Sequence, residues 1–198
     1  QKNINVNNID FDGTIYKSPF YFNLSLYLKK IDTIKFINIF YQLKHFLNNN
    51  ILLNEKFNGQ GSIHIENLDN FKFFDNAKIN LKFINEGLLL DNTSLTSNKI
   101  GKLIFLESSI TEKDNQQFLK AKILFNIINE KKFYQKFQIP KNNRIKIKNI
   151  FLQIEQNLNS NDVKFIEFIF NHSFNDNSLE NTINVANLIN IDEIQKLK

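Results

Sequence analysis

The stretch Phe20-Tyr21-Phe22-Asn23-Leu24-Ser25-Leu26-Tyr27-Leu28-Lys29 decides the fold class. Phe20, Phe22, Leu24, Leu26 and Leu28 fall on one parity, while Asn23, Ser25 and Lys29 fall on the other. Alternation with period two turns one face of a strand toward an apolar layer and the other toward water.

The same alternation returns along the chain. It marks residues 62–66 through Ile63 and Ile65, and residues 77–83 through Ile79, Leu81 and Phe83. It marks 119–127 through Leu119, Ala121, Ile123, Phe125 and Ile127. Over 144–154 the apolar parity moves from Ile145 and Ile147 to Ile150, Leu152 and Ile154, which predicts a β-bulge or bend near Asn149. Turn signals separate the runs: Asp12-Gly13, Asn85-Glu86-Gly87, Asp91-Asn92, 98–101 and 140–143. Links this short join antiparallel neighbours, whereas parallel strands need long crossovers. The pattern predicts a mostly β protein of about ten strands, an elongated, curved antiparallel sheet in the form of a groove or open sandwich. One domain over 1–198 suffices, with one or two short helices.

The first helix is expected over 34–47 behind an Asp32-Thr33 N-cap, with Phe36, Phe40, Leu43 and Leu47 at helical spacing. Ile37, Ile39, Tyr41 and Phe46 carry the apolar surface almost around the cylinder, which suits a lid or plug over 33–47 on the apolar sheet face. A weaker helix is expected from Asp192, after a polar loop at 175–181.

Composition removes several function classes. The net charge is +5, but the lysines are scattered among Asp and Glu and Arg144 is the single arginine. Arginine supplies bidentate phosphate and base contacts, so nucleic acid is not an expected partner. Asn, Ile, Lys and Phe all have AT-rich codons, and nucleotide composition accounts for much of the lysine excess. With no cysteine there is neither a disulfide framework nor a cysteine metal site. No apolar run approaches the ~20 residues of a membrane-spanning helix. The chain starts at Gln1 rather than Met, which reads as an excerpt of a longer chain.

Catalytic constellations are sparse. Ile9-Asp10-Phe11-Asp12-Gly13-Thr14-Ile15 contains D-x-D-G-T and resembles the first motif of the haloacid dehalogenase phosphotransferases. That resemblance implies Asp10 as nucleophile, Asp12 as general acid/base and Mg²⁺ beside them. The residues before it, Asn3-Ile4-Asn5-Val6-Asn7-Asn8, describe a one-sided strand instead of a doubly buried parallel one. Asp12-Gly13 between two alternating segments reads as a hairpin turn. His45, His64 and His172 are far apart with no ligand-spaced partner, and Gly59-Gln60-Gly61 fits a strand entry because no helix follows. Glu107, Glu112 and Asp114 read as solvating charge. No enzyme activity, metal or cofactor is expected.

The run Gly-Gln-Gly-Ser-Ile-His-Ile-Glu-Asn-Leu from Gly59 continues as Phe74-Asp75-Asn76-Ala77-Lys78-Ile79-Asn80-Leu81-Lys82-Phe83. Glu86-Gly87-Leu88-Leu89-Leu90-Asp91-Asn92 and Ile100-Gly101-Lys102-Leu103-Ile104-Phe105 complete the texture. It resembles the C-terminal part of AsmA-like envelope proteins of Gram-negative bacteria, relatives of TamB. The resemblance implies a periplasmic segment of a chain anchored in the inner membrane by an upstream helix, moving phospholipid toward the outer membrane along a greasy concave sheet. The outer-membrane partner is open. The residues expected to line such a groove are Phe20, Phe22, Leu24, Leu26, Ile63, Ile65, Ile79, Leu81, Phe83, Ile123 and Phe125. Acyl chains would gain roughly 0.8 kcal/mol per buried CH₂ against that lining. The alternatives are a structural or adhesive β-sandwich module of a surface protein and, more remotely, the phosphatase.

Overall fold

The computed structural model describes residues 4–6, 9–38, 58–84, 87–160 and 162–171. The N-terminal half contains β1 (Ile4–Val6), β2 (Ile9–Lys17), β3 (Phe20–Leu28), β4 (Ile31–Asp32), β5 (Gly59–Ile65), β6 (Leu68–Asp69) and β7 (Asn76–Ile84). Then follow β8 (Gly87–Leu89), β9 (Ser94–Ser97), β10 (Gly101–Phe105), β11 (Ser109–Lys113), β12 (Gln116–Ile127), β13 (Asn149–Asn157) and β14 (Val163–Phe170). A helix, α1, begins at residue 33 and is described through residue 38, and a second, α2, covers Glu130–Lys136. The expected remainder of α1, the polar loop at 175–181 and the helix from Asp192 lie outside the described residues.

The protein is mostly β, as its alternation predicts. Among the described residues twelve strands form one sheet, while β4 and β6 form a separate parallel pair. Neighbours in the main sheet are antiparallel with one exception: β3 and β5 run parallel, Leu28 beside Ile65. The antiparallel order expected from short links therefore fails at one place, where β3 and β5 are separated in sequence by more than the dozen residues that a parallel connection needs.

Side-chain parity aligns across the sheet. Ile9, Leu28, Ile65, Ala77, Leu95, Leu103, Phe125, Ile150 and Phe170 occupy successive register positions on nine neighbouring strands. All nine are apolar, and eight of them, from Leu28 to Phe170, belong to the larger hydrophobic core. A second layer lies on this row. Phe36 of α1, Phe71 and Phe74 of the β6–β7 connection and Phe133 and Tyr134 of α2 pack into the same core. Rings 5.7–6.1 Å apart link Phe36 to Phe71, Phe74, Phe125 and Phe133 in turn.

Polar groups fix this covering layer. The Ile34 amide donates to Asp32 Oδ1 (2.8 Å), the capping expected at the start of α1, and Thr33 Oγ1 donates to the Asp69 carbonyl (2.7 Å). Asn129 caps α2 by accepting from the Lys132 amide at 3.0 Å. The Ile147 amide donates to Glu130 Oε1 (3.1 Å), and Tyr134 Oη donates to the Ile145 carbonyl. Those two bonds draw Ile147 into the core. The bulge expected near Asn149 is therefore a strand entry: 144–148 follow α2, and β13 starts at Asn149. A register shift does occur later, at Gln153/Ile154 opposite β14.

Asp91-Asn92 also differs from its sequence reading. It reverses nothing, because β8 and β9 both run antiparallel to β7 and the stretch between them is an insertion in one continuous line. The register against β7 slips by one residue across 90–93, and β10 and β11 slip likewise against β12 across 106–108. The two bulges lie side by side and are hydrogen-bonded. Thr93 Oγ1 accepts from the Asn80 amide (2.9 Å) and donates to the Asn80 carbonyl (3.2 Å). The Ser108 amide donates to Asp91 Oδ1 (2.7 Å), and the Lys122 amide donates to Ser108 Oγ (3.1 Å). Paired bulges increase local twist and bend the strands.

The Leu88 side chain, fully buried in the second core with Phe22, Phe83 and Ile110, and the Thr93 hydroxyl test this construction. Leu88→Ala is expected to cost about 2–5 kcal/mol through the cavity it leaves. Thr93→Val should cost about 1–3 kcal/mol by stranding the Asn80 peptide. Urea unfolding of each variant measures both.

Candidate functional site

The sheet offers two surfaces, and the alternation that builds it assigns each residue to one. All eleven expected lining residues lie on the apolar face. Phe125 belongs to the nine-strand row; Leu26, Ile63 and Ile79 align in the next, and Ile123 continues that row between Phe105 and Leu152. Leu24, Gly61 and Leu81 form a third, and Phe22, Gly59, Phe83, Leu88, Ile110 and Leu119 a fourth. Phe20 extends β3 toward the β2–β3 turn, its ring 6.2 Å from Phe22.

Glycine lets large side chains cross this face. The Phe22 ring lies over Gly59, where an added Cβ would stand 2.5 Å from it, and meets Phe83 at 5.6 Å. Leu24 lies against Gly13 in the same way, with Leu24 Cδ2 2.5 Å from an added Cβ.

Burial divides the lining set. Phe22, Ile65, Ile79, Phe83 and Phe125 are packed into protein core. Leu24, Leu26, Ile63, Leu81 and Ile123 are half-buried. Exposure grows toward the β2–β3 end, where Ile9 is 40%, Ile15 64% and Phe20 41% accessible. Ile9 and Ile15 share the apolar parity of β2, and sequence reasoning missed both because the D-x-D-G-T string drew attention to the other parity.

Asp12-Gly13 is not a hairpin corner. It lies inside β2, Asp12 opposite Ser25 and Gly13 opposite Leu24, and the chain turns instead at Ser18-Pro19, whose peptide is cis. Glycine is needed here for close approach of Leu24 rather than for a turn conformation. Asp10 and Asp12 project from the polar face of a strand paired antiparallel on both sides. Among the described residues no three His, Asp or Glu side chains are grouped to hold a metal ion.

The polar face is ordered as well. Asp12, Ser25, Ser62 and Asn80 form one cross-strand row, flanked by Thr14, Asn23, Gln60 and Lys82 on one side and Asp10, Tyr27, His64 and Lys78 on the other. Ser25 and Ser62 share a hydrogen bond of 3.0 Å, and Tyr27 stacks on His64 with ring centroids 5.0 Å apart. Asn80 Nδ2 donates to the carbonyls of Asp91 (3.4 Å) and Asn92 (3.0 Å), holding the bulge as a wall. Between wall and β3 lies a cavity of about 460 Å³. Gly59 opens β5, the strand entry expected of Gly59-Gln60-Gly61, while His45 and His172 lie outside the described residues. Glu107 pairs with Lys122 at 2.5 Å.

Among the described residues no helix is long and apolar enough to cross a membrane. Comparisons with protein-family models, curated proteins and solved structures returned no match for this chain.

Two measurements follow. Burial and then the charge of Lys78 lower the pKa of His64 below the usual histidine value. The unfolded chain therefore binds its proton more readily, and stability is full above about pH 6.5 and falls as pH drops below it. In thermal melts between pH 7.5 and 5.5, His64→Gln should show a shallower pH slope than the parent. In a Mg²⁺-containing phosphatase assay the parent and Asp10→Asn should be equally flat, and turnover lost in Asp10→Asn would restore the phosphotransferase reading.

Proposed function

We propose that this chain is a non-enzymatic, periplasmic segment of an AsmA-like, inner-membrane-anchored protein that holds phospholipid acyl chains on its way to the outer membrane. The observation that carries this reading is the graded covering of one apolar sheet face. That face is packed under α1, α2 and the β6–β7 connection at one end, and exposes Ile9, Ile15 and Phe20 at the β2–β3 end. Acyl chains laid on this end would continue a surface the sheet already buries elsewhere, at roughly 0.8 kcal/mol per CH₂ removed from water.

A second reading rests on the burial of Phe22, Ile65, Ile79, Phe83 and Phe125. A face so fully packed serves a structural or adhesive β module equally well. The open end discriminates. Lipid extraction and mass spectrometry of the purified protein, and of the full-length protein, should find phospholipid at near-stoichiometric level. Ile15→Asp combined with Phe20→Asp should reduce it several-fold while circular dichroism stays unchanged. Lipid-free protein in both forms would favour the structural module.

A further inference from the structure

We propose that the opposite, polar face carries a separate binding site for a neutral polyhydroxyl ligand of the sugar class, in the trough between β3 and the Asp91–Asn92 wall. The site does not rest on the lipid reading, because it uses residues of the other parity.

The cavity of about 460 Å³ falls within the ~300–1,000 Å³ range of small-ligand sites. Its chemistry selects the ligand. Asn23 and Gln60 are register neighbours on adjacent strands, both exposed, and each amide offers one acceptor and two donors. Two such groups about 5 Å apart across a strand pair suit neighbouring hydroxyls, which need donors and acceptors together. The Ser25–Ser62 hydroxyl pair forms the floor beside them.

Charge argues against an ionic ligand. The lining holds one cation, Lys82, and one carboxylate, Asp91, whose Oδ1 already accepts from the Ser108 amide. An anion such as phosphate calls for an arginine fork or several ammonium groups. A hydrophobic ligand calls for an apolar lining, and Leu89, beside Lys82, is the large apolar residue of this parity in the lining.

A platform stands next to the floor. Tyr27 and His64 lie one register step of the same face beyond Ser25 and Ser62, their rings 21° from parallel. Burial, and then the charge of Lys78, favour the uncharged form of His64. Tyr27 keeps 47% of its surface accessible, so aromatic area beside the amides and hydroxyls is left to meet the apolar C–H groups of a sugar ring. The bonds from Asn80 to the bulge fix the wall before any ligand arrives, which limits the ordering cost of binding.

The test is a titration of the ¹⁵N-labelled chain with maltohexaose, cellohexaose and chitohexaose, following the side-chain amide resonances of Asn23 and Gln60. At least one oligosaccharide should shift these resonances saturably. Affinity should fall at least tenfold in Asn23→Ala/Gln60→Ala and in Tyr27→Ala, with the rest of the spectrum still that of the folded protein. No shift with any of the three would overturn the proposal. Undiminished binding by the double variant, or inorganic phosphate binding more tightly than every oligosaccharide, would also overturn it.

Discussion

Every other feature of the molecule answers to one cross-strand row of apolar side chains, from Ile9 through Leu28, Ile65, Ala77, Leu95, Leu103, Phe125 and Ile150 to Phe170. A strand turns alternate residues to opposite faces, so a one-residue slip anywhere would present the wrong face to this row. Two neighbouring slips are nevertheless present, at 90–93 and 106–108, besides the one at Gln153/Ile154, and none disturbs it. Each extra residue is confined to a bulge, and the bulges bind one another through Asp91 and Ser108. The row also creates a demand, because an apolar sheet face must be covered. Phe36, Phe74, Phe133 and Tyr134 meet it where they can reach, from elements anchored by Thr33, Asn129 and Glu130.

Much of this was legible in the residues alone, for a physical reason. Period-two alternation is a local consequence of strand geometry, so β3, β5, β7 and β12 could be placed from their own parity, and the eleven lining residues assigned to one face. The cap at Asp32 was legible because a helix start is also local. Non-local features were not. Nothing within 29–58 states that β5 returns parallel to β3, and the Asp91-Asn92 pair looks the same in a chain-reversing turn as in a bulge. Asp12-Gly13 misled for a related reason: glycine there serves contact with Leu24, eleven residues on, rather than the backbone conformation of its own segment. Helix α2 carried a readable signal, Asn129 and Glu130 before Phe133 and Tyr134, but it is too short for periodicity to announce it.

The division of the sheet into two faces organises function. The apolar face is closed by protein at one end and open at Ile9, Ile15 and Phe20, where a greasy ligand could extend the core. The polar face is not merely wetted, since its central row is hydrogen-bonded, walled by a bulge and flanked by stacked rings. Surface ion pairs such as Lys30–Asp69 and Lys120–Glu155 add little to stability at their exposure. They leave the apolar row as the main source of cohesion.

The central claim is that the open end of the apolar face meets lipid while the opposite face does not. Photo-cross-linking in intact cells that make the protein tests it directly, with a photoreactive phenylalanine analogue at Ile15 or Phe20 and, as the opposite-face control, at Tyr16 or Tyr21. The account predicts phospholipid adducts from the first pair, at several times the yield of the second. Equal yields from both faces, or adducts from neither, would contradict it.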